Sequence, residues 1–279
     1  MKKKVLSVLL VAALALSGVA CAKDNGGKKS SSSNDGETKS VSLDDRNEDF
    51  KYEPTGSGYR ISGLSETGKT KESVVIPAGV ELAGSISGGV VKHVTFETDD
   101  DVKIVTFFSN CKTLETVELP ANLSDLCSFS GCSSLKEITI PKNVTEIPQA
   151  CFSGCSDLET VVIEGDVTEI GRNAFFKCES LKTINFPDSI TTIGDSCFKG
   201  CKNVSEITLP SGLKQVGQLA FADIGLQTII VPEDLELESW HTAAFNQMRN
   251  NYTVKVKEGS WADIHFDEVF TSTAIKEYY

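Results

Sequence analysis

The cysteines carry the most reactive side chains in this sequence, and they are regularly spaced. Cys111, Cys132, Cys155, Cys178 and Cys201 each stand three residues after a phenylalanine, and Cys127, Cys151 and Cys197 fall just before one. Metal binding by thiolates needs paired ligand sets in one compact module, usually with histidine among them. The close pairs here, Cys151 with Cys155 and Cys197 with Cys201, belong to different units and have no histidine beside them, so no metal site is expected. Disulfide bonding needs proximity and an oxidant. Strands stacked about 4.8 Å apart would bring the column within bridging range, but the spacing does not say which pairs would join. In the third reading cysteine is a small apolar residue that tiles an interior. That reading, with the thiols free, is the one adopted.

The other reactive residues converge on nothing. Three histidines occur, His93, His241 and His265, none of them in a nucleophile motif. There is no G-x-S-x-G, no H-E-x-x-H and no phosphate-cradling glycine loop. Carboxylates are abundant, but they recur as surface columns and single out no acid–base pair. Asp99-Asp100-Asp101 has the oxygen ligands calcium favours. No calcium-loop spacing surrounds it, and an exposed acidic loop is the reading. The expectation is no enzyme, no cofactor and no metal.

A cysteine column requires a repeat to carry it. Phenylalanine recurs at 108, 129, 152, 175, 198 and 221, in steps of 21, 23, 23, 23 and 23, and Phe245 follows. A period in the twenties means stacked short units, each unable to bury its apolar face alone. Every unit holds a triplet such as Leu135/Ile138/Ile140 or Leu181/Ile184/Phe186, whose last two members alternate with polar residues as in a half-buried strand. Proline at 120, 141, 187, 210 and 232 ends it. A second pattern follows: Leu123/Leu126, Val144/Ile147, Val167/Ile170, Ile190/Ile193 and Leu213/Val216. Gly171, Gly194 and Gly217 close three of these and are expected to supply turn geometry. The phenylalanine should plug its own coil and stack on the next.

The unit Ile170-Gly171-Arg-Asn-Ala174-Phe175-x-x-Cys178-x-x-Leu181-x-x-Ile184-x-Phe186-Pro187 resembles the repeat of the BspA-like bacterial leucine-rich repeat surface family. The resemblance covers roughly residues 74–250. It implies a mainly β leucine-rich repeat solenoid of ~23-residue units, and a secreted or cell-surface protein of binding or adhesion type. It brings no catalytic residues with it.

Toward both ends the pattern degrades, as terminal coils must be covered. Val91/Val94/Phe96 and Val74-Val75-Ile76 read as weaker strands, with Val80 to Gly84 in the place of a second pattern. Phe50-Lys-Tyr52 and Tyr59-Arg-Ile61 flank Pro54-Thr-Gly-Ser-Gly58 as a capping hairpin. Tyr252 to Val256 reads as the last strand. Ser260-Trp-Ala-Asp263 resembles a capping box, with Trp261, Ile264 and Val269 on one helix face. The chain is thus divided into a signal at 1–20, a flexible tether at 21–46 and one repeat domain at 47–279. Within that domain, 47–73 is the N-terminal cap, 74–250 the repeats and 251–279 a C-terminal cap with a short helix.

The start of the chain bears on location. Lys2-Lys3-Lys4 precedes an apolar run from Val5 to Leu16, too short for a membrane span of about 20 residues. Small residues follow, then Cys21. This is similar to a bacterial lipoprotein signal and implies a lipid on Cys21, the sole expected membrane contact; cleavage after Ala20 or Ala22 would instead leave a secreted protein. Residues 22–46 are rich in Lys, Ser, Asp and Gly, with nothing to bury. The formal net charge is −12, and no dense basic cluster lies beyond the leader, so no nucleic-acid partner is expected.

What remains is the outward face of the first strands. Its candidate binding residues are His93, Thr116, Glu118, Glu137, Thr139, Thr160, Thr183, Asn185, Glu206 and Thr208. Threonine is also simply a good residue for a solvated strand. The face has no Trp or Tyr, which counts against stacking on sugars. The expected function is an exported, lipid-anchored bacterial surface protein. Through this face it would bind a protein or peptide ligand on a host or neighbouring bacterial surface. The alternatives are an extracellular polysaccharide-binding protein and an envelope spacer with no dedicated ligand.

Overall fold

A computed structural model describes residues 47–56, 58–99, 108–248 and 251–279. The expected signal, the tether, lipidated Cys21 and the pair Asp100 and Asp101 lie outside the described residues.

Each coil contributes short strands because only two or three alternating apolar positions face inward before proline or a turn redirects the chain. The hairpin is β1 (Phe50–Pro54) and β2 (Tyr59–Leu64), followed by β3 (Ser73–Ile76), β4 (Val80–Ser85), β5 (His93–Phe96) and β6 (Thr116–Val117). Then come β7 (Glu137–Ile140), β8 (Glu146–Ile147), β9 (Thr160–Ile163), β10 (Glu169–Ile170), β11 (Thr183–Ile184) and β12 (Thr192–Ile193). β13 (Glu206–Thr208), β14 (Gln215–Val216), β15 (Thr228–Ile230), β16 (Ser239–Trp240) and β17 (Tyr252–Val256) follow. The chain closes with α1 (Trp261–Ile264), α2 (Phe266–Val269) and β18 (Ala274–Tyr278).

Apart from β1, β2 and β4, which make a small sheet of their own, these strands form two parallel ladders. The first runs in three hydrogen-bonded stretches, β3-β5-β6, β7-β9-β11 and β13-β15-β17-β18. The second is continuous from β8 through β10, β12 and β14 to β16. Leu123 and Leu126 are buried, yet no strand forms there, so the second ladder starts one coil later than the sequence pattern indicates. Val80 to Gly84 also departs from expectation: β4 pairs in parallel with β2 of the hairpin and not with the second ladder.

Between the ladders runs a file of seven phenylalanines, Phe108 to Phe245. Successive ring centroids are 5.0–5.6 Å apart and the rings tilt by 6–11°. All seven are buried, as a plug that stacks from coil to coil should be.

The three glycines expected to supply turn geometry have another reason. In this turn the left-handed backbone falls at Ala150, Asn173, Ser196 and Leu219, each two residues beyond where Gly171, Gly194 and Gly217 and their counterpart Pro148 stand. A Cβ on Gly171, Gly194 or Gly217 would lie 2.5–2.7 Å from a backbone nitrogen of the preceding coil. Glycine is needed there for close approach between coils. The glycine of the Phe-x-Gly-Cys phrase is the one with positive φ, at Gly131, Gly154 and Gly200.

At the C-terminus, Tyr252–Val256 is not the last strand, because β18 adds in parallel to β17. The single helix face is also corrected. The segment makes two four-residue helices, and Ile264 points to solvent at 71% exposure while Phe266, Val269 and Phe270 pack inward. Ser260 Oγ accepts from Asp263 N, as a cap should. Trp240 Nε1 donates to Val269 O at 3.1 Å and ties this cap to the last coil.

Candidate functional site

Parallel register fixes which outward residues stand side by side. Ser73, His93 and Thr116 are one run, Glu137, Thr160 and Thr183 the next, and Glu206, Thr228, Thr253 and Ile275 the last. Two residues along, Thr139 pairs with Val162, and Thr208 with Ile230, which pairs in turn with Lys255. Glu137, Thr139, Thr160, Thr183, Glu206 and Thr208 are exposed strand residues, so these members share one surface. Glu118 and Asn185 are exposed but fall just past the ends of β6 and β11. His93 and Thr116 are half-buried and engaged with each other, His93 Nδ1 lying 2.8 Å from Thr116 Oγ1. The face continues beyond the predicted residues through Thr253, Lys255, Ile275 and Glu277, because β17 and β18 extend the ladder.

One column beside this face was missed in the sequence. The residues just before the first strands read Glu72, Lys92, Glu115, Lys136, Glu159 and Lys182, a strict alternation over six coils. They pair as Lys92 with Glu72 at 2.9 Å, Lys136 with Glu115, and Lys182 with Glu159 at 2.5 Å. Hydrogen bonding from Lys136 holds the Glu115 carboxyl below its ordinary range, and Glu72 holds the Lys92 ammonium above its own. The signal was available as alternating charge at one repeat position. Its lysines are occupied by these partners, whereas the neighbouring face carries Glu118, Glu137 and Glu206.

The cysteine column is more than filler. Phe129 O accepts from Cys132 N of its own coil at 3.0 Å and from Cys155 Sγ of the next at 3.2 Å. Phe152 O does the same for Cys155 N and Cys178 Sγ, and Phe175 O for Cys178 N and Cys201 Sγ. A carbonyl has two lone pairs, and the thiol fills the second. All eight described cysteines are buried and none is in a disulfide. Burial pushes the Cys155 thiol up to about 12 and those of Cys151, Cys178 and Cys197 well above their ordinary value. Cys111 moves the other way, lowered chiefly by a hydrogen bond with the Cys132 thiol.

No group of three His, Cys, Asp or Glu among the described residues is arranged to hold a metal ion. A depression beside Phe176, Lys199 and Lys202 encloses about 80 Å³, far less than the several hundred Å³ of a small-molecule site. Along the first ladder the candidate residues form a surface.

Among curated proteins none matches this chain. Several solved structures are similar to it. One is a leucine-rich repeat protein from Bacteroides ovatus ATCC 8483, 22% identical, with 75% of this chain and 66% of that one covered and a TM-score of 0.49. Another is the T. pallidum leucine-rich repeat protein, 26% identical over 70% of this chain and 72% of that one, TM-score 0.38. A third is the pneumococcal vaccine antigen PcpA, 15% identical over 74% and 68%, TM-score 0.45. The chain thus spans just under two thirds of the Bacteroides ovatus protein's length. The model of the BspA-type leucine-rich repeat region matches in six copies across residues 96–202 and 168–279. With most of its length matched and a ring, thiol and strand ladder repeating in step, this chain belongs to the BspA-type leucine-rich repeat family.

Proposed function

We propose that this chain is an exported surface protein, held by a lipid on Cys21. It binds a protein or peptide partner across the outward face of its first strand ladder. In this reading 1–20 is a signal, 21–46 a tether and 47–279 the binding domain. One observation carries it: Glu137, Thr160 and Thr183 are exposed in direct parallel register, with Thr139 beside them, so hydroxyls and carboxylates form a continuous surface. Threonine hydroxyls donate and accept, glutamates accept, and no apolar pocket is needed. Residues His93, Thr116, Glu118, Asn185, Glu206 and Thr208 complete the proposed face. Family membership favours recognition over catalysis.

The test is capture of surface proteins by residues 47–279, compared with a variant carrying Glu137→Arg and Thr160→Arg on the same folded scaffold. A partner retained by the parent and lost by the variant is expected. Equal capture by both would move the site off this face, and binding confined to glycans on an array would replace the protein partner with a polysaccharide.

A further inference from the structure

The two ends of the first ladder are finished differently. At the start, Ile76 O bonds toward β5, so Val75 O points away from it, and Asn47 Nδ2 stoppers that carbonyl at 3.2 Å. At the other end β18 is the edge strand, with no strand beyond it among the described residues. Successive residues of a strand turn their backbone groups to opposite sides. Tyr252 N donates to Thr273 O and Tyr279 N to Val256 O, so the odd-numbered residues bond toward β17. The N–H and C=O of Lys276 and Tyr278 therefore point to the open side. Open edges are normally blunted by charge, lysine above all. Here the lysine is drawn off: Lys276 Nζ donates to Asp263 Oδ1 at 2.9 Å and lies 4.6 Å from the Phe266 ring centre. Of the seven large apolar side chains exposed among the described residues, four are Ile264, Ile275, Tyr278 and Tyr279. Ile275 and Tyr279 flank Glu277 on the outward face, while Tyr278 lies on the other, its hydroxyl donating to Asp263 Oδ1 at 3.0 Å.

We propose that the open edge of β18 docks an extended peptide segment of a partner protein, basic at its centre and apolar on either side, as the next strand of the first ladder. Main-chain bonds to Lys276 and Tyr278 hold the added strand, and alternate side chains select it, as in strand addition generally. Across from Glu277 the partner places a cation, and across from Ile275 and Tyr279 it places apolar side chains. The charge of the surroundings favours this occupant. Residues 258–279 carry five carboxylates against one lysine, and that lysine is engaged with Asp263. A second copy of the chain fits less well, because the antiparallel register that bonds Lys276 of one copy to Tyr278 of the other sets the two Glu277 side chains face to face, and like charges directly opposite destabilise a pair. This edge is separate from the outward face around Glu137 and Thr160, so the two sites can be tested apart.

The experiment titrates the full chain with the end-blocked peptide Thr-Val-Thr-Lys-Thr-Val-Thr, whose pattern reads the same in either strand direction. Saturable binding with a Kd of about 1 mM or tighter is expected, with slowed amide exchange at Lys276 and Tyr278. The same peptide with its backbone nitrogens methylated keeps its side chains and should not bind. Glu277→Lys should weaken binding roughly fivefold and recover it with the peptide that carries glutamate in place of lysine. The variant with Glu137→Arg and Thr160→Arg should bind like the parent. Absence of saturation, equal binding of the methylated peptide, or indifference to the charge swap would each overturn the proposal. Loss of binding in the Glu137→Arg, Thr160→Arg variant would do so too, by moving the peptide to the outward face. Self-association of the chain that the peptide displaces would make a second copy the occupant and overturn the choice of partner.

Discussion

At the scale of single residues, the fold depends on side chains that contact two coils at once. Phe175 is the clearest case. It is buried, with the Phe152 and Phe198 rings each 5.3 Å away on opposite sides. Phe175→Ala removes a ring on which both neighbours stack and leaves a cavity in the file. The expected loss is about 3–5 kcal/mol, read as a large drop in melting temperature; an unchanged melting curve would contradict the plug. The same logic explains why cysteine recurs three residues later. A serine would be more costly to bury and an alanine would leave the second lone pair of the phenylalanine carbonyl without a donor. From sequence alone the column was visible but its hydrogen bonds were not. Spacing reports which residues line up, and only the backbone tells what their sulfurs touch.

At the scale of elements, the alternating Glu–Lys column makes a test of its own. Lys136 stands between Glu115 and Glu159 on adjoining coils and ion-pairs with Glu115. Lys136→Glu places three carboxylates in succession along one ladder edge. Lys136 and Glu159 are exposed and Glu115 is half-buried, so salt screens their interaction. The variant should melt lower than the parent at low ionic strength, and the gap should close as salt is added. A gap indifferent to salt would mean that packing of the lysine stem, not charge, is what was lost. This column was legible in principle, because its alternation is written in the residues, but the search for apolar periodicity passes over it. The first ladder, the hairpin and the second strands at Val144/Ile147 through Leu213/Val216 follow from apolar spacing directly. The exceptions have local causes. Leu123 and Leu126 keep the apolar spacing and are buried, yet form no strand, because burial is set by the side chains and a ladder by the backbone. β18 was unreadable since Ala274-Ile-Lys-Glu-Tyr278 is mostly exposed and carries no inward alternation; it is fixed from outside, by Lys276 Nζ and Tyr278 OH both donating to Asp263. The candidate face was legible as a set of columns, and its continuation onto β17 and β18 was hidden with that strand.

At the scale of the whole molecule, the buried thiols set how this repeat stack responds to pH. An unfolded cysteine ionises near its ordinary value of 9.0, whereas the folded Cys155 keeps its proton until about 12. Cys127, Cys151, Cys178, Cys197 and Cys201 are raised in the same sense by burial. Below pH 9 both states hold these protons and the thiol form stabilises the fold in full. Above it the unfolded chain releases protons that the folded chain retains, so stability falls as pH rises, by roughly 1.4 kcal/mol per pH unit for each such thiol. The contact between Cys111 and Cys132 lowers the first thiol and raises the second, and the lowering at Cys111 acts below pH 9, outside the window of this decline. The fall must therefore be steep, with many identical groups acting in one cooperative stack. Denaturant midpoints measured under reductant from about pH 8 to about pH 10.5 should drop sharply. Cys155→Ala with Cys178→Ala should lower the midpoint at neutral pH and flatten the alkaline decline. A parent midpoint that stays level over this range would mean the thiols ionise as readily inside the stack as outside it, which a buried column donating to carbonyls does not allow.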